Sequence, residues 1–350
     1  MQKNISFASL AVALSCVLAV IHPAARAADA ADTALRATVA ADAGYVRADG
    51  AIAIVGGNGV EELIQGLDDL FRQTHPEFRF KLVMKGSATA MPALSAGTSA
   101  FAPMTRDAWG GERAAFKQVF GYAPEPILIG HHGFGPRAGA ETPPAVYVNA
   151  RNPLPGLTIA QLTRIFTSGA PEGDINLWSQ LDKLPVPAEC RARRIHLYGE
   201  RDDGGAATER RHRLLGGYPF TATYEALADS DAVLDAVADD VCGIGLVGWS
   251  NPQRAAGRAR VLALGVTDGA YFEPSYDAVA AGRYPLAAPL VIYVNHPPGK
   301  PLEPWIKEYL EVALSPQGQA LLAKGRDDAS GLVPLSADTI ARERRKLDGM

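Results

Sequence analysis

Apolar and polar positions along the chain follow two alternating rhythms. The run AIAIV at residues 51–55 is continuously apolar over the length of a buried strand, and the turn GGNG (56–59) follows it. The next stretch, VEELIQGLDDLFRQTHP, switches to helical spacing, with Leu63, Leu67, Leu70 and Phe71 on one face and Pro76 as its stop. FRFKLVMK (78–85) returns to a strand pattern, and GSAT (86–89) is a second tight turn opening onto a helix. Strand, turn and helix repeated in this order predict an α/β fold.

Further strands are expected at PILIGHH (126–132), AVYVN (145–149), RIHLYG (194–199), CGIGLVGW (242–249) and PLVIYVN (289–295). Helices are expected at TIAQLTRIF (158–166), DAVLDAVAD (231–239) and PWIKEYLEVAL (304–314). The Pro- and Gly-rich stretch GPRAGAETPP (135–144) separates two blocks, and no repeat of fixed period is present. Residues 29–50 are rich in Ala and Asp with little periodicity and read as a linker.

Composition changes this picture in three ways. At 350 residues and 47% hydrophobic, the chain can bury a sizeable core and divide into two domains. Its 34 basic against 38 acidic residues create no global field for nucleic acid or an acidic membrane surface, so any anion recognition has to be local. Residues 1–28 have the form of a cleavable export signal: Lys3, the apolar run FASLAVALSCVLAVI and the small-residue site Ala25-Arg26-Ala27. With no later run of 18 apolar residues, no membrane crossing is expected and the exported chain is read as periplasmic.

Cys16 would leave with that signal. An oxidising compartment permits a disulfide between the remaining Cys190 and Cys242, and two separate thiols are the other reading, because pair geometry is not written in sequence.

Candidate chemistry concentrates at GERDDGGAATERR (199–211), a turn opening onto a helix whose first N–H groups can hold an anion. The basic run Arg210, Arg211, His212, Arg213 reads as a solvated helix face. His131 and His132 are neighbours on a strand and point to opposite faces, which argues against a shared metal site. No nucleophile elbow, zinc-protease motif or P-loop occurs, so an enzyme is not expected.

Several blocks in order resemble one family. VNARNPLPGLTIAQLTRIFTSG (148–169) with NLWSQL (176–181), KGSATAMPALSAGTSAFAPMTR (85–106), GERDDGGAAT (199–208), CGIGLVGWS (242–250) and LSPQGQALLAKGRDDASGLVPL (314–335) are similar to the signature segments of phosphate ABC transporter solute-binding proteins. The resemblance covers roughly residues 51–335. It implies a type II-like periplasmic-binding-protein fold, with two α/β lobes joined by two crossing strands around a central ligand cleft. Lobe 1 would take residues 51–143 and 284–350 and lobe 2 residues 144–283, with 284–295 as the return crossing.

The resemblance also implies the site. Its ligand-binding positions fall on Gly57 and Asn58 in the first turn, Ser87 and Ala88 in the second, and Arg201, Gly205, Ala206, Ala207 and Thr208 in the arginine turn. Ala100 stands at the place of the family's acceptor aspartate, counted back from Thr105, and Gly205 and Ala207 stand where the family carries hydroxyls. Arg106 is expected as a lobe-surface or latch residue rather than a ligand contact. The implied function is binding of an oxyanion or small anionic solute for ABC-type uptake. The alternative is a binding-protein scaffold that has lost phosphate binding and serves as a periplasmic interaction or assembly protein. Expected partners are a small anion (phosphate, sulfate or a larger anionic solute) and an inner-membrane ABC permease or another envelope protein. The chain is expected as a monomer, with no cofactor, metal or nucleic acid.

Overall fold

Strand β1 (Ile52–Gly56) pairs in parallel with β2 (Phe80–Met84), and the helix Glu61–Phe71 connects them. That helix forms because Leu63, Ile64, Leu67 and Phe71 recur at helical spacing and are all buried, while Glu61 and Glu62 suit the positive end of its dipole. Ile64 takes the core position that the spacing had assigned to Leu70, which is only half-buried. The structure is a computed structural model, and it describes Val39 and residues 43–350 apart from residues 202 and 204. Within the helix Gly205–Leu214 the side chains at 205–207, 209 and 213 also lie outside the description. The expected export signal and most of the expected linker lie outside the described residues.

Beyond the first pair, β3 (Ala102–Met104), β4 (Glu125–His132), β12 (Ala288–Val294) and β13 (Leu332–Val333) form an antiparallel sheet in the order β13-β4-β12-β3. β5 (Ala145–Asn149), β7 (His196–Glu200), β8 (Tyr224–Leu227), β9 (Gly243–Val247) and β10 (Ala259–Val261) form a second sheet, ordered β10-β5-β9-β7-β8. In it β7 runs parallel to both β8 and β9, whereas β5 runs antiparallel to β9, and β6 (Gly156–Thr158) and β11 (Ala263–Gly265) form a separate parallel pair. The two sheets serve two cores. One gathers Ile52, Ile54, Phe71, Phe101, Ile292 and Trp305; the other gathers Val146, Leu157, Phe166, Trp178, Ile244 and Leu286. Every residue of β5 and β9 is buried, which is why both read as unbroken apolar runs rather than alternating ones.

The chain passes from one core to the other between β4 and β5, where Thr142 bridges to Ser250, and returns just before β12. Cys190 and Cys242 form a disulfide with a Cα–Cα distance of 5.5 Å across a sequence separation of 52 residues. It ties a short 3-10 turn to the start of β9, beside Trp178, whose indole N–H donates to the Cys242 carbonyl at 3.0 Å. No helix among the described residues is long and apolar enough to cross a membrane.

Candidate ligand cleft

A cavity of about 510 Å³ opens between the two cores, and both sides present the C-terminal ends of strands to it. From the first side come Asn58 after β1, Gly86, Ser87 and Ala88 after β2, and Thr105 and Arg106 after β3. From the second come Glu200 at the end of β7, Arg210 and Leu214 on the helix Gly205–Leu214, and Gly248 and Trp249 after β9. Strand C-terminal ends are where open α/β sheets place ligands, because the loops there are free to vary while the sheet holds them.

The first wall is built by three backbone segments locked together. Gly57 N–H donates to the Pro103 carbonyl at 2.8 Å, and Gly86 N–H to the Gly56 carbonyl at 3.1 Å. A Cβ on Gly57 would stand 3.0 Å from Ser87 Oγ and 3.2 Å from a Thr105 methyl, so this turn comes close only because residue 57 carries no side chain. Ser87 is buried and opens the helix Ser87–Ser95, where its N–H and that of Ala88 have no intrahelical acceptor. Its hydroxyl accepts the Thr105 backbone N–H at 3.0 Å and shares a hydrogen bond with the Thr105 hydroxyl at 3.1 Å. Whichever of the two hydroxyls donates, the other keeps one O–H free for a ligand.

Both guanidinium groups at the cleft already have carboxylate partners. Arg106 makes a bidentate pair with Glu112, each bond 2.8 Å, and lies 4.1 Å over the Trp109 ring. Arg106, expected as a lobe-surface or latch residue, thus stands in the cleft wall. Arg210 is only 2% exposed and is bound to Glu200, whose other oxygen is bound by Ser230. Ser230 in turn accepts Gly248 N–H at 3.1 Å, which fixes this wall to β9. The expected solvated face of the basic run is corrected at Arg210: a carboxylate at the end of β7 draws it inward.

The remaining expected positions separate. Gly57, Asn58, Ser87 and Ala88 come together at the first wall. Arg201 does not line the described cavity: its side chain is 67% exposed and closes on Asp203, which it meets at 2.6 Å and 3.2 Å. Thr208 is half-buried on the following helix and is not among the cavity's described lining residues either. The side chains of Gly205, Ala206 and Ala207 lie outside the description. Ala100 is corrected: it is buried in the first core, and its N–H donates to Ala53. The cleft position in that segment is Thr105, five residues on, just past the end of β3.

A second cavity of about 560 Å³ adjoins the first, sharing Asn58, Thr105 and Trp249 with it. His132 lines it and packs on Trp249, with ring centroids 4.9 Å apart and the planes tilted by 40°. Burial holds the His132 imidazole below its ordinary range, against a smaller opposing effect of the Ser330 backbone, so it is neutral at pH 7. Sequence reasoning missed Arg106, Glu200, Arg210 and Trp249 as cleft residues; the signal available was the place of Arg106, Glu200 and Trp249 at or just past a strand end, and of Arg210 on the helix that follows β7.

A model for a PBP superfamily domain matches residues 35–317. The phosphate-binding protein PstS of Pseudomonas aeruginosa is 28% identical over 302 residues, covering 85% of this chain and 87% of that one. Among solved structures, PstS from Borrelia burgdorferi superposes with a TM-score of 0.54 at 13% identity, covering 81% of this chain and 98% of its own. An ABC-type phosphate transport receptor from Vibrio cholerae gives 0.50 at 18% identity, covering 81% and 99%. The α/β fold is thus shared with these solved structures, and the family match over most of the chain makes this protein a member of the PBP superfamily.

Proposed function

We propose that the protein is an exported solute-binding protein that takes a small anion in the cleft and hands it to an inner-membrane ABC permease. The observation that carries this reading is the first wall: two glycine turns and the end of β3 bring the Ser87–Thr105 hydroxyl pair, Asn58 and the opening N–H groups of a helix to one point. Such a group of donors suits an oxyanion head. The opposite wall belongs to the second core, so closure about the two crossing segments would sequester the ligand. An anion that recruits Arg201 would have to displace Asp203 from it. The relatives known as phosphate-binding and phosphate-transport proteins support the anion and the transport role, and the export-signal pattern supports the periplasm. Isothermal titration of ligand-stripped protein with phosphate, sulfate and arsenate tests the reading. Heat from at least one is expected, and silence with all three would sink it.

A further inference from the structure

We infer that the cleft's preferred ligand is an organic anion, one oxyanion head on a flat apolar body lying against Trp249, rather than a free tetrahedral ion. The inference rests on the anion-binding reading above. Three features of the cleft lead to it.

The first is charge. Stripping water from a multiply charged small ion is costly unless positive charge replaces it. Here Arg106 is neutralised by Glu112 and Arg210 by Glu200, and Glu200 itself lines the cavity. The first wall offers donors for one head group and no uncommitted cation among its described side chains.

The second is surface. Between that donor group and the two ion pairs the lining carries apolar surface: Pro144, Leu214, Leu286 and Ala288 with Trp109 and Trp249. A cavity of about 510 Å³ is in the range that encloses a small organic molecule, roughly 300–1,000 Å³. A tetrahedral ion on the Ser87–Thr105 pair would leave most of it unfilled.

The third is Trp249 itself. It is 37% exposed, one of few large apolar side chains so open among the described residues, and it stands where the two cavities meet. It is also held in place. His132 packs against it at a tilt of 40°, and Gly133, at φ +83°, approaches so closely that a Cβ there would lie 2.4 Å from the indole ring. A ring that is rigidly seated yet open to a cleft is a stacking platform, and an aromatic partner on such a surface gains affinity beyond simple burial.

The test uses the full mature chain, stripped of ligand, titrated with phenylphosphonate, methylphosphonate and inorganic phosphate. The first two carry the same head and differ only in the aromatic body. Phenylphosphonate is expected to bind about tenfold more tightly than either of the others, with a change in tryptophan fluorescence. Trp249→Ala should close that gap, chiefly by weakening phenylphosphonate, and Trp249→Phe should retain most of it; unchanged melting temperatures show that both variants fold. Equal affinity for all three in the parent protein, or a gap that survives Trp249→Ala, overturns the inference while the anion-binding reading stands. Binding of none of the three overturns both.

Discussion

Ser87 and Thr105 form a reciprocal pair across the base of the cleft: the serine hydroxyl accepts the threonine backbone N–H at 3.0 Å and meets its hydroxyl at 3.1 Å. One side chain thereby joins the end of β3 to the start of the helix Ser87–Ser95 and leaves a single O–H available between the two residues. On the anion-binding reading proposed above, structure and ligand recognition are coupled at this point.

Ser87→Ala removes both roles. The Thr105 N–H loses its acceptor, and the one remaining hydroxyl, on Thr105, loses the partner that orients it, each change being worth about 1–3 kcal/mol. Anion affinity should fall roughly tenfold to a hundredfold by titration calorimetry. Thr105→Ser, which keeps the hydroxyl pair, should bind within about twofold of the parent. A Ser87→Ala protein that binds like the parent would show that the head group sits elsewhere.

Glu112 sets the charge of the same cleft through Arg106. In Glu112→Gln the neutral amide cannot cancel the guanidinium, although its carbonyl oxygen can still accept the Trp109 backbone N–H, now met by Glu112 at 2.7 Å. Freeing one positive charge at a half-screened site is worth about 1–2 kcal/mol to a nearby anion. Sulfate affinity should therefore rise on the order of tenfold, and its dependence on ionic strength should steepen. Affinity that is unchanged at low salt would place the anion out of reach of Arg106.

Much of the fold is legible in the sequence because the fold depends on local rhythm. AIAIV, AVYVN and CGIGLVGW read as strands since β1, β5 and β9 are buried almost throughout, and DAVLDAVAD reads as a helix since Val233, Leu234 and Val237 face one way. The turns at Gly57–Asn58 and Ser87–Ala88 were legible as well, as glycine-bearing breaks between strand and helix. The second wall was not. Whether Arg210 meets solvent or Glu200 depends on how the helix Gly205–Leu214 docks against the end of β7, which no sequence spacing encodes. Trp249 is likewise ordinary in sequence; its role comes from lying against His132 and Gly133, more than a hundred residues away. Ala100 misled because counting along a segment does not say where its strand ends, and β3 carries the chain out of the core only by Thr105.

The disulfide is expected to carry a large share of the second core's stability. It joins residues 52 apart, and its two buried sulfurs pack in the same cluster as Trp178 and Ile244. Closing a loop of that length restricts the unfolded chain by about 4 kcal/mol in the chain-entropy model. The double variant Cys190→Ala with Cys242→Ala should lose about 2–5 kcal/mol in urea unfolding. Adding a reducing agent should shift the parent's midpoint towards the variant's and leave the variant unmoved. A parent midpoint insensitive to reductant would mean that the bond does not form in the purified protein.

Asp68 makes a distinct prediction about pH. It is buried in the helix Glu61–Phe71, where one oxygen accepts the Tyr309 hydroxyl at 2.8 Å and the other has no partner among the described residues. Burial pushes its pKa from 3.8 up to about 7, with Asp69 adding to the rise and the Tyr309 hydrogen bond and Arg72 opposing it. Between those two values the folded state holds a proton that the unfolded state has released, so stability from this group is full below about pH 4 and falls as pH rises towards 7. Above pH 7 both states are ionised and the loss, roughly 4 kcal/mol, is constant. Urea midpoints should therefore decline from pH 5 to pH 8 in the parent protein. Asp68→Asn cannot ionise and its carbonyl can still accept from Tyr309, so it should flatten that decline and be the more stable of the two at pH 8. An equal decline in both proteins would assign the pH dependence to other groups.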